Sequence, residues 1–417
     1  MQTKKTHWPS LLTLLIFGIS ILFLLLIVSV LGISSLIDLF RGSGDAVAEM
    51  IRAATNGFEI ILLLLCGWFV LQKVMGREHA DLPFILPFAD WHLLVVIGFA
   101  VVGVTVGGLA AYTEIPWLGW LILPVTTLLV IVPPIWLIFG YGSRGLEIGS
   151  RWRVFAVLGL GMTIGPVIMV LIELAMLAGI ILTGAILLAI LEPATFQELM
   201  RIAEIVQTET NQEVLLKLMA PYISNPIAIT TGIVYIAILV PLIEELLKPL
   251  AVWVFAAKIE TPAQGFVLGL LSGGAFALIE SLNAGADSTV TWPVIVSVRA
   301  GTSILHMTAS ALVGWGIVSA FKEKKIGRLF GAYFSAVLIH GIWNASAAGA
   351  GLSAIGESIG KPEWLFNFAP ALVCGLLVMG VGMLAVLLAS NRKLRNVSRL
   401  LTAEESNSKE EEVQLPV

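Results

Sequence analysis

Residues 228–257 read AITTGIVYIAILVPLIEELLKPLAVWVFAA, an apolar run that carries Glu244, Glu245 and Lys248 in its middle, with Pro241 and Pro249 on either side. A hydrocarbon core about 30 Å thick is crossed by about 20 apolar residues in a helix. This stretch is long enough to span a bilayer, so its charges lie inside it. The rest of the chain matches: its 417 residues are 58% hydrophobic and 12% charged, with a mean hydropathy of +0.96, far from the composition of a soluble domain. The expected fold is an all-α, polytopic transmembrane helix bundle in the cell membrane, with the lipid bilayer as its solvent.

The span-length criterion gives about ten spans, near residues 9–37, 57–75, 91–113, 117–141, 153–191, 228–257, 263–283, 292–321, 328–350 and 364–390. The first follows Lys4 and Lys5 as a secretory signal would, but it is longer than the 7 to 15 apolar residues of a signal. It therefore reads as a retained span. The fifth is either one long tilted helix or a hairpin folded at Gly165-Pro166. Charge decides between them. With one helix and both termini cytoplasmic, Lys73, Arg77, Arg144, Lys258, Lys322, Lys324, Lys325 and Arg328 fall inside, leaving Arg41, Arg52, Arg201, Lys217 and Lys361 outside. The organisation expected is a five-span region over 1–192, an amphipathic connection over 193–226, a four-helix core over 227–350, a last span over 351–391 and a disordered cytoplasmic tail over 392–417. In the connection, Phe196, Leu199, Ile202, Ile205 and Val206 recur at helical spacing. Two cysteines, Cys66 and Cys374, both in apolar stretches, offer neither a disulfide framework nor a Cys-based metal site. No sequence signature points to nucleic acid, and nothing in the sequence fixes the oligomeric state.

Ionisable residues concentrate in spans six to nine: Glu244, Glu245, Lys248, Glu280, Arg299, His306 and His340. The five charged members would cost on the order of 15 kcal/mol facing lipid. They must face inward and partner one another. A rise of 1.5 Å per residue, counted from the cytoplasmic ends, puts Glu244, Glu280, His306 and His340 at roughly 18 to 24 Å, one level in the membrane. Glu244 with Lys248, His340 with Asn344, and Arg299 with His306 sit at spacings that share a helix face. Small residues Gly269, Ser272, Gly273, Gly274 and Ala275 allow close helix approach on span seven.

Read in order, Glu244-Glu245-x-x-Lys248, Phe276-x-x-x-Glu280, Arg299 with His306 and Gly314, and His340-x-x-x-Asn344 resemble the PrsW family of intramembrane proteases, related to the prenyl endopeptidases and bacteriocin-immunity-type membrane proteins. The resemblance covers about residues 228–350. It implies an intramembrane (metallo)endopeptidase acting on a membrane-protein or membrane-tethered substrate, with site-1 cleavage of an anti-sigma-factor-like protein as one case. The chain departs from the prenyl endopeptidases at Glu280, where they carry histidine, and at Lys248, where they carry arginine. A prenylated substrate is not implied.

Peptide hydrolysis needs an activated water, a stabiliser for the oxyanion and an acid for the leaving amine. Glu244, Glu245, Glu280, His306, His340 and Asn344 are the candidate catalytic residues, with Lys248 and Arg299 in support. Two readings fit. Either Glu280, His306 and His340 hold Zn2+ while Glu244 takes a proton from water, or Glu244 activates water without metal and His340 with Asn344 forms the oxyanion hole. The competing classes are an ion-coupled secondary transporter, which also places ionisable groups on broken helices, and a non-catalytic scaffold or immunity-type relative. Spans one to four lack the matching polar set that a two-repeat transporter would carry.

Overall fold

The computed structural model describes residues 7–42, 45–113, 115–209, 211–223, 225–286, 291–356 and 363–413; Lys4, Lys5 and Lys361 lie outside these. Among the described residues the protein is all-α, with ten helical runs long and apolar enough to cross a membrane. They comprise α1 (Trp8–Arg41), α2 (Ala46–Val74), α3 (His92–Tyr112), α4 (Pro116–Ser143), α5 with α6 (Arg151–Met162 and Ile164–Leu191), α9 to α11 (Pro226–Val234, Val240–Leu247 and Leu250–Phe255), α12 (Pro262–Ala284), α13 (Trp292–Glu323), α14 (Ile326–Gly356) and α15 (Glu363–Val413). Between the fifth and sixth runs lie α7 (Pro193–Val206) and α8 (Gln212–Ile223). The protein is thus a multi-pass membrane protein.

Three local features differ from the sequence reading. The fifth run, read from charge as one long helix, is one candidate span but is interrupted at Thr163, just ahead of Gly165-Pro166. Pro166 has no N–H and its ring meets the carbonyl four residues back, that of Met162, so the disruption falls one turn before the proline. The second helix begins at Ala46, well before 57, because Ala46, Val47 and Ile51 are buried although Glu49 and Arg52 lower the local hydropathy. Glu59, at the edge of the expected span, consequently lies well inside the helix and is buried. Third, the segment 392–417, expected as a disordered tail, is helical through Val413, as the strong helix formers of a Leu-, Glu- and Lys-rich stretch favour; residues 414–417 lie outside the described residues.

The chain forms two compact units: Met1–Pro166 with Lys248–Tyr333 and Gly382–Val417, and Val167–Leu247 with Phe334–Val381. In the first, α12 is the central helix, buried along nearly its whole length and packed on α13, α4, α5 and α11. Glycines make the α12–α13 approach possible. A methyl group at Gly265, Gly269 or Gly273 would collide with the carbonyl of Gly314, Ser310 or His306. At the other end of α13, Trp292 is fully buried and donates to Thr127 Oγ1 on α4 at 2.9 Å. Asn391 of α15 donates to the carbonyls of Gly142 and Arg144, tying that helix to the end of α4.

In the second unit, the sixth run is broken into α9 (Pro226–Val234), a π-helical turn (Tyr235–Leu239) and α10 (Val240–Leu247). The chain re-enters helix in the first unit as α11 (Leu250–Phe255), after Pro249. Pro241 and Pro249 each lack the N–H that an unbroken helix would use, so backbone irregularity clusters around both.

Candidate active site

Among the described residues, each unit carries a polar set; Lys248 and His306 are buried, while Glu280 and Arg299 are half-buried. In the first, Lys248 follows the end of α10 and is 1% exposed. Its Nζ lies 2.8 Å from His306 Nδ1 and 4.7 Å from the centre of the Phe276 ring. Phe276 also meets the His306 ring edge to face at 5.3 Å, and Ser272 donates to the Lys248 carbonyl. A cation enclosed by an aromatic face and an imidazole nitrogen is held without an aqueous shell. On the other side of the imidazole, His306 Nε2 lies 2.9 Å from Glu280 Oε2. Glu280 Oε1 accepts in turn from Arg299 at 2.8 Å. The result is a chain of four ionisable groups, Lys248, His306, Glu280 and Arg299, across α12 and α13. Gly273 positions it, because its missing side chain lets α12 lie against the backbone of His306.

The second set joins α10 to α14. Glu245 and His340 are essentially inaccessible, and Glu244 is 8% exposed. His340 Nδ1 lies 2.8 Å from Glu245 Oε1. An ionised carboxylate only accepts, so this contact places the proton on Nδ1 and makes Nε2 the lone-pair nitrogen. Nε2 faces Glu244, with 3.8 Å to Oε2. One turn along α14, Asn344 Nδ2 donates to the Ile236 carbonyl in the π-helical turn at 2.9 Å. The amide that sequence reading offered to an oxyanion is therefore engaged with backbone. Beside the set, an apolar groove of about 540 Å³ runs between α10 and α14, lined by Ile238, Leu242, Phe334, Leu338 and Gly341.

The two sets differ in their fit to a metal ion. Glu244, Glu245 and His340 each offer a donor atom, and these lie within 4.8 Å of one another. Two donors on a tetrahedral zinc are separated by about 3.3 Å, close to the separation of His340 Nε2 from Glu244. A histidine oriented through its other nitrogen by a carboxylate is the usual support of such a ligand. The first set fits less well. A neutral His306 ligating through Nε2 would carry its proton on Nδ1, directed at the Lys248 ammonium, and Nε2 is already engaged with Glu280.

The sequence reading has Glu244, Glu245, Lys248, Glu280, Arg299, His306 and His340 facing inward as one site, but it misses Phe276 as the partner of the Lys248 charge and Ser272 as the partner of its carbonyl. The Phe276-x-x-x-Glu280 spacing held the signal for the first. No curated protein and no solved structure matches the chain. The sequence model of the PrsW family intramembrane metalloproteases matches residues 149–389, more than half of the chain and inclusive of both polar sets. The chain belongs to the PrsW family of intramembrane metalloproteases.

Proposed function

We propose that this intramembrane protease resides in the cell membrane and hydrolyses a peptide bond of a membrane-protein or membrane-tethered substrate, with water activated by Glu244. The observation that carries the reading is the contact of a buried His340 with Glu245 through Nδ1 while Nε2 faces Glu244 at 3.8 Å. A water hydrogen-bonded to both Nε2 and Glu244 would lose its proton to the carboxylate, and Glu245 would keep the imidazole in one tautomer throughout. The neighbouring apolar groove supports a substrate that arrives from the hydrocarbon. The family resemblance supports site-1 cleavage of an anti-sigma-factor-like protein as the biological reaction.

In the metal form of this reading, zinc would take the place of that water contact on His340 Nε2, with the Glu244 carboxylate beside it and Glu245 orienting the imidazole through Nδ1. Bound there, zinc would acidify water and polarise the substrate carbonyl. Glu280, His306 and His340, the ligand set expected from the sequence, require Lys248 and Glu280 to release the His306 ring. In this reading His306 and Glu280 form a proton-carrying pair, with Arg299 held on the other Glu280 oxygen.

The test is zinc content of detergent-purified wild type, His306→Ala and His340→Ala, measured beside cleavage by Glu244→Gln. Loss of zinc in His340→Ala alone supports the α10–α14 set. Loss in both variants supports the set that includes His306. A folded, metal-free and active wild type would move the mechanism to direct activation by Glu244, and an active Glu244→Gln protein would sink it.

A further inference from the structure

A π-helical turn adds a residue to one turn of helix, so everything after it is rotated by about 100° relative to an uninterrupted α-helix. The turn Tyr235–Leu239 ends five residues before Glu244. Without it, Glu244 and Glu245 would present different faces. Such turns are rare, and this one is gripped from outside. Asn344 Nδ2 donates to the Ile236 carbonyl at 2.9 Å, and Tyr235 Oη donates to the Glu173 carbonyl at 3.0 Å. Gly341 lies so close to the Ala237 carbonyl that a Cβ there would collide with it. Asn344 and Gly341 belong to the same stretch of α14 as His340. The helix that carries the imidazole therefore also holds the turn that aims the carboxylates at it.

We propose that Asn344 is a positioning residue: by donating to the Ile236 carbonyl it stabilises the π-helical turn and sets the register in which Glu245 meets His340 Nδ1 and Glu244 faces Nε2. The inference rests on the proposed role of Glu244 and His340, and assigns Asn344 to their alignment in place of an oxyanion contact. A widened turn leaves backbone carbonyls poorly paired, and inside a membrane no water compensates them. The Asn344 amide supplies the missing donor. Gly341 supplies the room.

The test uses full-length protein in detergent with 15N-labelled histidine, the His340 Nδ1–H signal being assigned by its loss in His340→Gln. Asn344→Leu, similar in volume but without a donor, is expected to move that signal towards the position of a solvated imidazole and to weaken zinc binding about tenfold or more. Gly341→Ala, which presses on the Ala237 carbonyl and leaves the amide untouched, is expected to move the signal in the same direction. An unmoved His340 signal in either folded variant overturns the proposal, and so does a loss of cleavage in Asn344→Leu with signal and zinc affinity intact, which would return the amide to the oxyanion. A moved signal in a protein that binds no zinc supports the positioning role while defeating the metal reading, so the two fail separately.

Discussion

His340 Nδ1 and Glu245 Oε1 lie 2.8 Å apart, and neither side chain is meaningfully accessible. The pair lies where solvent cannot replace a lost partner. Glu245→Ala would leave a buried N–H unsatisfied, costing about 1–3 kcal/mol, and would free the imidazole to rotate away from Glu244. The expected outcome is a lower Tm in detergent together with a roughly 10–100-fold loss of zinc affinity or cleavage. Glu245→Gln, which keeps an accepting oxygen, should retain most of the stability and less of the activity. Equal behaviour of the two variants, read by thermal melts and metal titration, would remove the orienting role.

The α12–α13 contact makes a steric prediction. Gly269 and Gly273 face carbonyls of Ser310 and His306, whereas Gly301 on α13 has open space around it. Gly269→Ala and Gly273→Ala should each destabilise by about 1–3 kcal/mol through overpacking, and Gly301→Ala should be neutral or slightly stabilising. Gly273→Ala carries a second expectation, because it pushes on the residue that contacts both Lys248 and Glu280. Its cleavage rate should fall more than that of Gly269→Ala at matched stability, and equal rates would detach the glycine from the site.

Much of this was legible in the sequence because hydropathy over 20 residues is a coarse, cumulative signal. The ten spans follow from it, as do the face-sharing spacings of His340 with Asn344 and Arg299 with His306. Partner choice was not legible, since it depends on contacts far apart in the chain. Glu244 and Lys248 stand at i and i+4, but α10 ends at Leu247, so Lys248 leaves the helical repeat and meets His306 instead. The Glu280 oxygens contact Arg299 and His306, partners that lie 19 and 26 residues further along the chain. The π-helical turn left no mark in local composition, because what holds it is an amide more than a hundred residues downstream. Glu59 stood at the edge of the expected span 57–75 because Glu49 and Arg52 hid the true start of its helix.

At the membrane edge, His7 supplies a pH prediction. Its ring stands edge-on to Trp152 at 5.1 Å, and partial burial, followed by the positive charges of Lys258 and Lys73, holds its pKa below the ordinary imidazole value, with Asp81 pulling the other way. A lowered folded pKa means that the unfolded chain binds more protons, so stability rises with pH through this window. The contribution is present above about pH 6.5 and is lost as the pH falls towards the depressed folded value. Melts at pH 5.5 and 7.5 should show a smaller difference in His7→Gln than in wild type, and an unchanged difference would exclude His7 as its source.

Lys248 gives the sharpest separation between the two metal readings. Its ammonium faces His306 Nδ1, which must accept and so places the ring proton on Nε2, towards Glu280. That tautomer cannot offer Nε2 to a metal. Lys248→Met keeps a long, flexible chain beside Phe276 and removes the donor, allowing the proton to move to Nδ1 and freeing Nε2. If His306 is a proton carrier, Lys248→Met should lower cleavage while leaving zinc affinity within about threefold. If His306 is a ligand held back by Lys248, the same variant should bind zinc about tenfold or more tightly, as expected when a competing cation leaves a ligand site. Competition titration against a chelator of known affinity distinguishes these outcomes, and Lys248→Arg, whose planar fork cannot reproduce a single point contact on Nδ1, should not restore wild-type activity in either case.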